Sequence, residues 1–304
     1  MTGLVTKSTG SWHDVFAEGK KYECRIRGKL RLEETKETNP VTVGDHVEFE
    51  IEEGAHVISK VLPRKNQILR RSVKKTGHSN ILASNIDQAV LIATLQQPRT
   101  SLGFIDRFMV SAEAYRIPQL LVFNKLDLLD SDGIHLQEDL KKVYEQVGAH
   151  VIIASAHRNE GIDGLRKHLN GKISLLTGHS GAGKSTLLNK LSPGLNQSTG
   201  EISGYSEKGT HTTTFAEMFA LDEKTFVIDT PGIKEWGLVD MTQQEISDYF
   251  PEMRDLRLQC KFGSKCLHLQ EPGCAIRPSV ENGGIAQSRF ESYISMVEGK
   301  DNRK

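Results

Sequence analysis

A chain of 304 residues is long enough for two domains and a small third, each with a core of its own. Lys+Arg and Asp+Glu both count 39, so the overall charge points to no class of partner and only local clustering can. No uninterrupted apolar run approaches the ~20 residues of a membrane span, and Met1-Thr2-Gly3-Leu4-Val5-Thr6-Lys7 has no signal-peptide core; the expectation is a cytoplasmic protein with no membrane partner.

From residue 3 to about 71, short alternating runs appear: Leu4-Val5-Thr6, Tyr22-Glu23-Cys24-Arg25-Ile26-Arg27, Val47-Glu48-Phe49-Glu50-Ile51 and His56-Val57-Ile58-Ser59-Lys60-Val61. Turns such as Val43-Gly44-Asp45 and Glu53-Gly54 separate them, which predicts a small antiparallel β-barrel of the five-stranded OB type over residues 1–72. Such barrels often bind RNA or single strands. Between residues 60 and 75 stand Lys60, Arg64, Lys65, Arg70, Arg71, Lys74 and Lys75 with no Asp or Glu among them. A run of this kind can be a solvated face; beside an OB barrel it is also a candidate RNA contact.

Thr76-Gly77-His78-Ser79-Asn80 reads as a polar link. Beyond it, buried-strand runs begin at Ala89, Gln119, His150, Ile173 and Thr225. Amphipathic segments at 104–115, 135–147 and 162–169 lie between several of them. This alternation predicts an α/β domain over 73–238, a parallel sheet with helices on both faces.

The chemistry sits at the strand ends. Gly178-His179-Ser180-Gly181-Ala182-Gly183-Lys184-Ser185-Thr186 follows the strand ending at Thr177 and precedes a helical run, the context that the phosphate-loop pattern requires. Glycines let consecutive N–H groups and the positive end of the helix face a triphosphate. Lys184 would add a charge at the β and γ phosphates, and the Ser185 hydroxyl would coordinate Mg²⁺. Asn124-Lys125-Leu126-Asp127 follows the strand ending at Phe123, and there an Asp can accept both the ring N–H and the amine of guanine, a pair that adenine lacks. Ser155-Ala156 closes the next strand, where the Ala156 N–H could meet the guanine carbonyl. Asp229-Thr230-Pro231-Gly232 ends a further strand, Asp229 suited to reach Mg²⁺ through water and the Gly232 N–H to meet the γ-phosphate. Before it, in Gly209-Thr210-His211-Thr212-Thr213-Thr214, one of Thr212, Thr213 and Thr214 could complete the Mg²⁺ shell.

The order of these pieces is rotated relative to Ras-like GTPases, because the Asn124 and Ser155 motifs precede Gly178; the domain is circularly permuted. Three cysteines and a histidine then fall close together in residues 239–304: Cys260, Cys266, His268 and Cys274. In a reducing compartment they form a closed tetrahedral set suited to one structural Zn²⁺, in a mainly helical domain that ends in a helix over 285–297.

On the permuted Asn124-Lys125-Leu126-Asp127, residues 178–186, residues 209–214, residues 229–232 and the Cys260/Cys266/His268/Cys274 set, behind an OB-like barrel, the chain resembles the ribosome small-subunit-dependent GTPase A family (RsgA, also called YjeQ or YloQ) over nearly its full length. The resemblance implies a GTPase cycling between GTP and GDP, stimulated by the small ribosomal subunit, acting late in its maturation and touching rRNA through the barrel and zinc domains. A monomer is expected. Ile233 stands where Ras-like enzymes carry the water-orienting Gln, and the resemblance moves that duty to His211, whose plain alternative is a solvated loop histidine. Five residues separate Cys260 from Cys266, one more than the resemblance leads one to expect, which should enlarge a loop without removing a ligand. Two other readings stay open on the sequence: a P-loop ATPase or kinase, and an RNA-binding assembly factor whose nucleotide is structural.

Overall fold

Period-two alternation of buried and exposed side chains carries the N-terminal part of the chain into β1 (Thr2–Thr9), β2 (Trp12–Ala17), β3 (Lys20–Ile26), β4 (His46–Glu52) and β5 (Ala55–Val61). The computed structural model describes residues 1–28, 40–52, 54–71, 79–192, 216–229 and 241–300. β1 pairs with both β2 and β4, β2 with β3, β3 in parallel with β5, and β5 with β4. The ribbon therefore closes on itself in the OB order β1-β2-β3-β5-β4. Val5, Val15, Cys24, Val47, Phe49 and Ile58 point inward and fill it. β2 is the strand missing from the runs expected above.

Part of the basic run is paired within the chain. Arg64 turns into the protein, its Nε and Nη2 donating to the Asp45 carboxylate at 2.7 and 2.9 Å. Asp45 is fully buried and also accepts the Thr42 N–H at 2.8 Å and the Ser84 hydroxyl at 2.6 Å. A buried carboxylate is tolerable only with such partners. Lys60 and Lys65 pair with Glu48 and Asp87. These three cations answer carboxylates of the same chain. Lys74 and Lys75 lie outside the described residues. The polar link is corrected as well: Ser79 and Asn80 belong to β7 (Ser79–Ser84), which pairs antiparallel with β6 (Gln67–Arg71).

Strands and helices then alternate: β8 (Gln88–Ala93), α1 (Leu102–Ala114), β9 (Gln119–Phe123), α2 (Ser131–Gln146), β10 (His150–Ile153), α3 (Ile162–Leu169), β11 (Ile173–Thr177), α4 (Lys184–Leu191), β12 (Glu217–Ala220) and β13 (Phe226–Asp229). Ser101 caps α1 by accepting the Phe104 N–H, and Asp130 caps α2 by accepting the Gly133 N–H. All six residues of β8 are buried. Its one strongly polar member, Gln88, is satisfied by donating to the Ser174 hydroxyl and the His168 carbonyl, each at 3.0 Å. The C-terminal region is built from α5 (Gln243–Ile246), α6 (Pro251–Arg254), α7 (Ile276–Glu281) and α8 (Gln287–Val297), joined by 3₁₀ turns.

The chain forms two compact units that do not follow its order. The first comprises Met1–Val90, Ile162–Thr177 and Lys184–Glu235. In it β11 runs parallel to β13, β12 pairs antiparallel with β13, and β12 also meets barrel strand β1, where Lys7 faces Glu217 with Nζ and Oε1 3.1 Å apart. The second comprises Leu91–Gly161, Gly178–Gly183 and Trp236–Lys304. There β9 and β10 are parallel, and α1 contributes Val110 to the core of Phe250, Met253, Ile276, Ile285, Tyr293 and Met296.

Candidate nucleotide and metal sites

The phosphate-loop pattern lies where β11 ends. Gly178 adopts φ +148°, and any Cβ there would press on the Ile92 carbonyl at the end of β8, so only glycine lets the two backbones approach. Ser180 and Gly181 are exposed while Ala182 is fully buried, which leaves an open backbone arc with a fixed base. Lys184, Ser185 and Thr186 form the first turn of α4, whose buried Leu187 and Leu188 anchor it.

Asn124 ties the base-reading motif to that loop. Its backbone N–H donates to the Ala93 carbonyl, fixing it at the end of β9. Its side chain, 2% exposed, donates from Nδ2 to the Ala182 carbonyl at 2.9 Å and accepts the Ala156 N–H on Oδ1 at 3.2 Å. One amide thus clips together three segments. Gly183 must be glycine for the same reason: at φ +93° a Cβ would run into the Asn124 amide. The Ala156 N–H, expected above to meet a guanine carbonyl, donates here to Asn124 Oδ1.

Lys125 takes the left-handed conformation at φ +66°, and its Nζ donates to the Gln97 carbonyl in the loop after β8. Pro98 of that loop lies against Gly181. Asp127 sits half-exposed in the 3₁₀ turn Leu126–Leu128, with the Leu126 N–H held by the Ala154 carbonyl. The buried Ser155 hydroxyl donates to its carboxylate. That hydrogen bond, against a weaker opposing effect of burial, holds the Asp127 carboxyl below its ordinary range, so it is a charged acceptor at neutral pH. Ser155 as the orienter of Asp127 was not legible in a two-residue motif. Nor was the contact of the His179 ring with the tilted ring of Phe104 in α1, 4.3 Å between centroids.

The structure brings Asn124, Lys125, Asp127, Ser155, Ala156 and residues 178–183 together in one unit. Asp229 ends β13 in register with Leu176, two residues before Gly178. His211, Thr212, Thr213, Thr214 and Gly232 lie outside the described residues.

The second site is local. Cys260, Cys266, His268 and Cys274 are all buried, and their ligand atoms lie within 4.8 Å of one another, so the set could hold a metal ion. The His268 Nδ1 faces the Cys260 and Cys274 sulfurs at 3.6 and 3.5 Å, and the Ala275 N–H donates to the Cys260 sulfur. Burial pushes the Cys266 thiol up to about 12, a cost that a bound cation would reverse. Burial also holds His268 below its ordinary value, in the neutral form that a metal requires. His268 has φ +58°, and Glu271 secures that turn by accepting the N–H groups of Leu267, Leu269 and Gln270 at 2.8 to 3.1 Å. Burial alone would raise the Glu271 carboxyl, but these N–H groups outweigh it and hold it low. Tyr293 of α8 donates its hydroxyl to the Leu267 carbonyl at 2.8 Å.

An OB barrel, a rotated order of phosphate loop and base-reading motif, and a C-terminal Cys₃His turn together define a circularly permuted GTPase. Residues 2–57 match the RsgA N-terminal domain and residues 61–239 the RsgA GTPase domain. The chain belongs to the RsgA GTPase family. It is 49% identical to the small ribosomal subunit biogenesis GTPase RsgA of Bacteroides fragilis, covering 100% of this chain and 98% of that one. It is 48% identical to the protein of the same name from Cytophaga hutchinsonii, with 100% of each chain covered. Among solved structures, YjeQ from Thermotoga maritima superposes with a TM-score of 0.81 at 35% identity, covering 100% and 99% of the two chains. YloQ, described as a circularly permuted GTPase, gives 0.76 at 28% identity, covering 100% and 96%.

Proposed function

We propose that this GTPase binds GTP with Mg²⁺ on residues 178–186, reads guanine through Asp127, and hydrolyses the nucleotide when docked on the small ribosomal subunit late in that particle's maturation. The observation that carries the reading is the Asn124 clip: the base-reading motif is hydrogen-bonded to the backbone of the phosphate loop, so one nucleotide can engage both. Asn124, Lys125, Leu126, Asp127, Ser155 and Ala156 serve the base and ribose side. Residues 178–186 with Asp229 and Gly232 serve the phosphates. Ser185 and one of Thr212, Thr213 and Thr214 would hold Mg²⁺, which supplies charge neutralisation between the phosphates.

Ile233 can neither accept nor donate a hydrogen bond, and the family resemblance assigns the attacking water to His211. The Cys₃His set is assigned one structural Zn²⁺: Zn–S bonds of about 2.3 Å imply ligand separations of roughly 3.8 Å, a modest contraction from the 4.8 Å limit observed. A closed set leaves no place for substrate, so this metal serves folding. The domains follow as barrel over 1–72, GTPase over 73–238 and zinc domain over 239–304, with the barrel and zinc domains on rRNA. The protein is assigned to the cytoplasm as a monomer; among the described residues no helix is long and apolar enough to cross a membrane.

Steady-state GTP hydrolysis with and without purified small subunits tests the reading. Stimulation of about tenfold or more is expected, and an equal rate in both would leave only a structural nucleotide. His211→Ala should remove the stimulated rate while GTP affinity stays within about threefold; normal stimulated turnover would take His211 out of the mechanism.

A further inference from the structure

The helix α1 stands between two things that the proposed function does not connect through it. In its first turn, Phe104 lays its ring on the ring of His179, the second residue of the phosphate loop, at 4.3 Å and 37° between planes. That is contact distance for an aromatic pair. Residues two apart on a helix project about 200° apart, and two residues on, Asp106 faces away from the loop into the C-terminal region. It is fully buried and accepts Arg289 Nη1 of α8 at 2.8 Å.

Arg289, 1% exposed, uses its remaining fork on Glu252 of α6, Nε and Nη2 donating at 2.7 and 3.0 Å. Its guanidinium also lies over the Phe250 ring at 4.8 Å. At the far end of α1, Glu113 pairs with Arg254 of α6 at 2.6 Å. Arg289 thus answers two carboxylates, and breaking a buried pair strands the charge left behind. The grip of α6 and α8 therefore fixes where α1 sits, and α1 fixes where Phe104 meets His179.

We infer that Phe104 and Arg289 are positioning residues through which the C-terminal region sets the geometry of the phosphate loop, so that loop occupancy and the order of α8 are thermodynamically linked by way of α1. The link rests on residues 178–186 being the nucleotide loop, and it is separate from any coupling through residues 229–232. Linkage is reciprocal: whatever stiffens the loop must steady α8, and whatever takes hold of the C-terminal region must change affinity at the loop.

Hydrogen exchange on the full-length, zinc-loaded protein reads this directly, with and without a saturating non-hydrolysable GTP analogue and Mg²⁺. The analogue should slow exchange in residues 287–297 by about fivefold or more, the lower end of ordinary coupling. In Phe104→Ala at saturating analogue, the loop amides stay protected while the effect on 287–297 falls below about twofold. Phe104→Leu, which fills the space without an aromatic face, should lose it too, and Phe104→Tyr should restore it, so the result does not hang on one variant folding. Protection of 287–297 that survives in both Phe104→Ala and Phe104→Leu would overturn the relay and place the route elsewhere. So would a wild-type protein whose loop is protected but whose α8 is not. If the loop itself gains no protection, the nucleotide assignment fails and the relay with it.

Discussion

Asn124, Ala156 and Ala182 come from three separate parts of the chain and meet through two hydrogen bonds on one amide, whereas Cys260, Cys266, His268 and Cys274 are neighbours in a single short stretch. The first site is held by protein atoms alone: a glycine without which Asn124 would not fit, a left-handed Lys125, a serine aiming a carboxylate. The second gathers three thiols and an imidazole in a buried place where burial penalises ionisation of Cys266, and the set could hold a cation. A preformed site loses function one contact at a time; a metal-closed site should lose everything at once.

Breaking the second site should give the largest effect. Cys266→Ser, or prolonged chelation, should reduce bound zinc from one equivalent to none by elemental analysis and abolish the cooperative melting of the C-terminal region, because structural zinc supplies about 10 kcal/mol or more of folding free energy. GDP affinity should fall by no more than about tenfold. Asn124→Ala comes next: it leaves the Ala182 carbonyl and the Ala156 N–H without their partner, at about 1–3 kcal/mol each, so affinity for a fluorescent GDP should drop by roughly two orders of magnitude with zinc content unchanged. An unaltered Kd would show that the clip is not what preforms the loop.

Ser155→Ala should be the mildest, weakening GDP binding by about tenfold through loss of aim rather than of charge. The sign follows from Asp127. Its folded pKa is depressed, so the charged form is stabilised above the ordinary value near 4 and that contribution is lost as pH falls through the folded value. Removing the hydroxyl lets the Asp127 carboxyl rise back toward its ordinary range. The ratio of wild-type to variant affinity should therefore stay constant from about pH 6 to 8 and widen only below about pH 5. A ratio that changes around neutrality would assign the difference to another group.

Legibility in the sequence divides along the same line. The buried runs at β8, β9, β10 and β11 declared themselves, because strands covered on both faces read as near-continuous apolar runs. The Cys₃His set was equally plain, since its ligands are close in sequence. What escaped depends on distant partners. Trp12–Ala17 alternates but spans only six residues between turns, and β7 looks polar until β6 is beside it. Arg64 reads as one cation in a basic run, and nothing near it in sequence announces that Asp45 and Ser84 await it across the fold. The hydroxyl that aims Asp127 and the ring that meets His179 were hidden for the same reason.

The ladder between β1 and β12 has a mechanical corollary. β12, which begins at Glu217, is held by β13 on one side and, where Lys7 stands opposite Glu217, by the barrel on the other. A deletion or register slip in β1 would thus be felt at β12, some two hundred residues further along the chain.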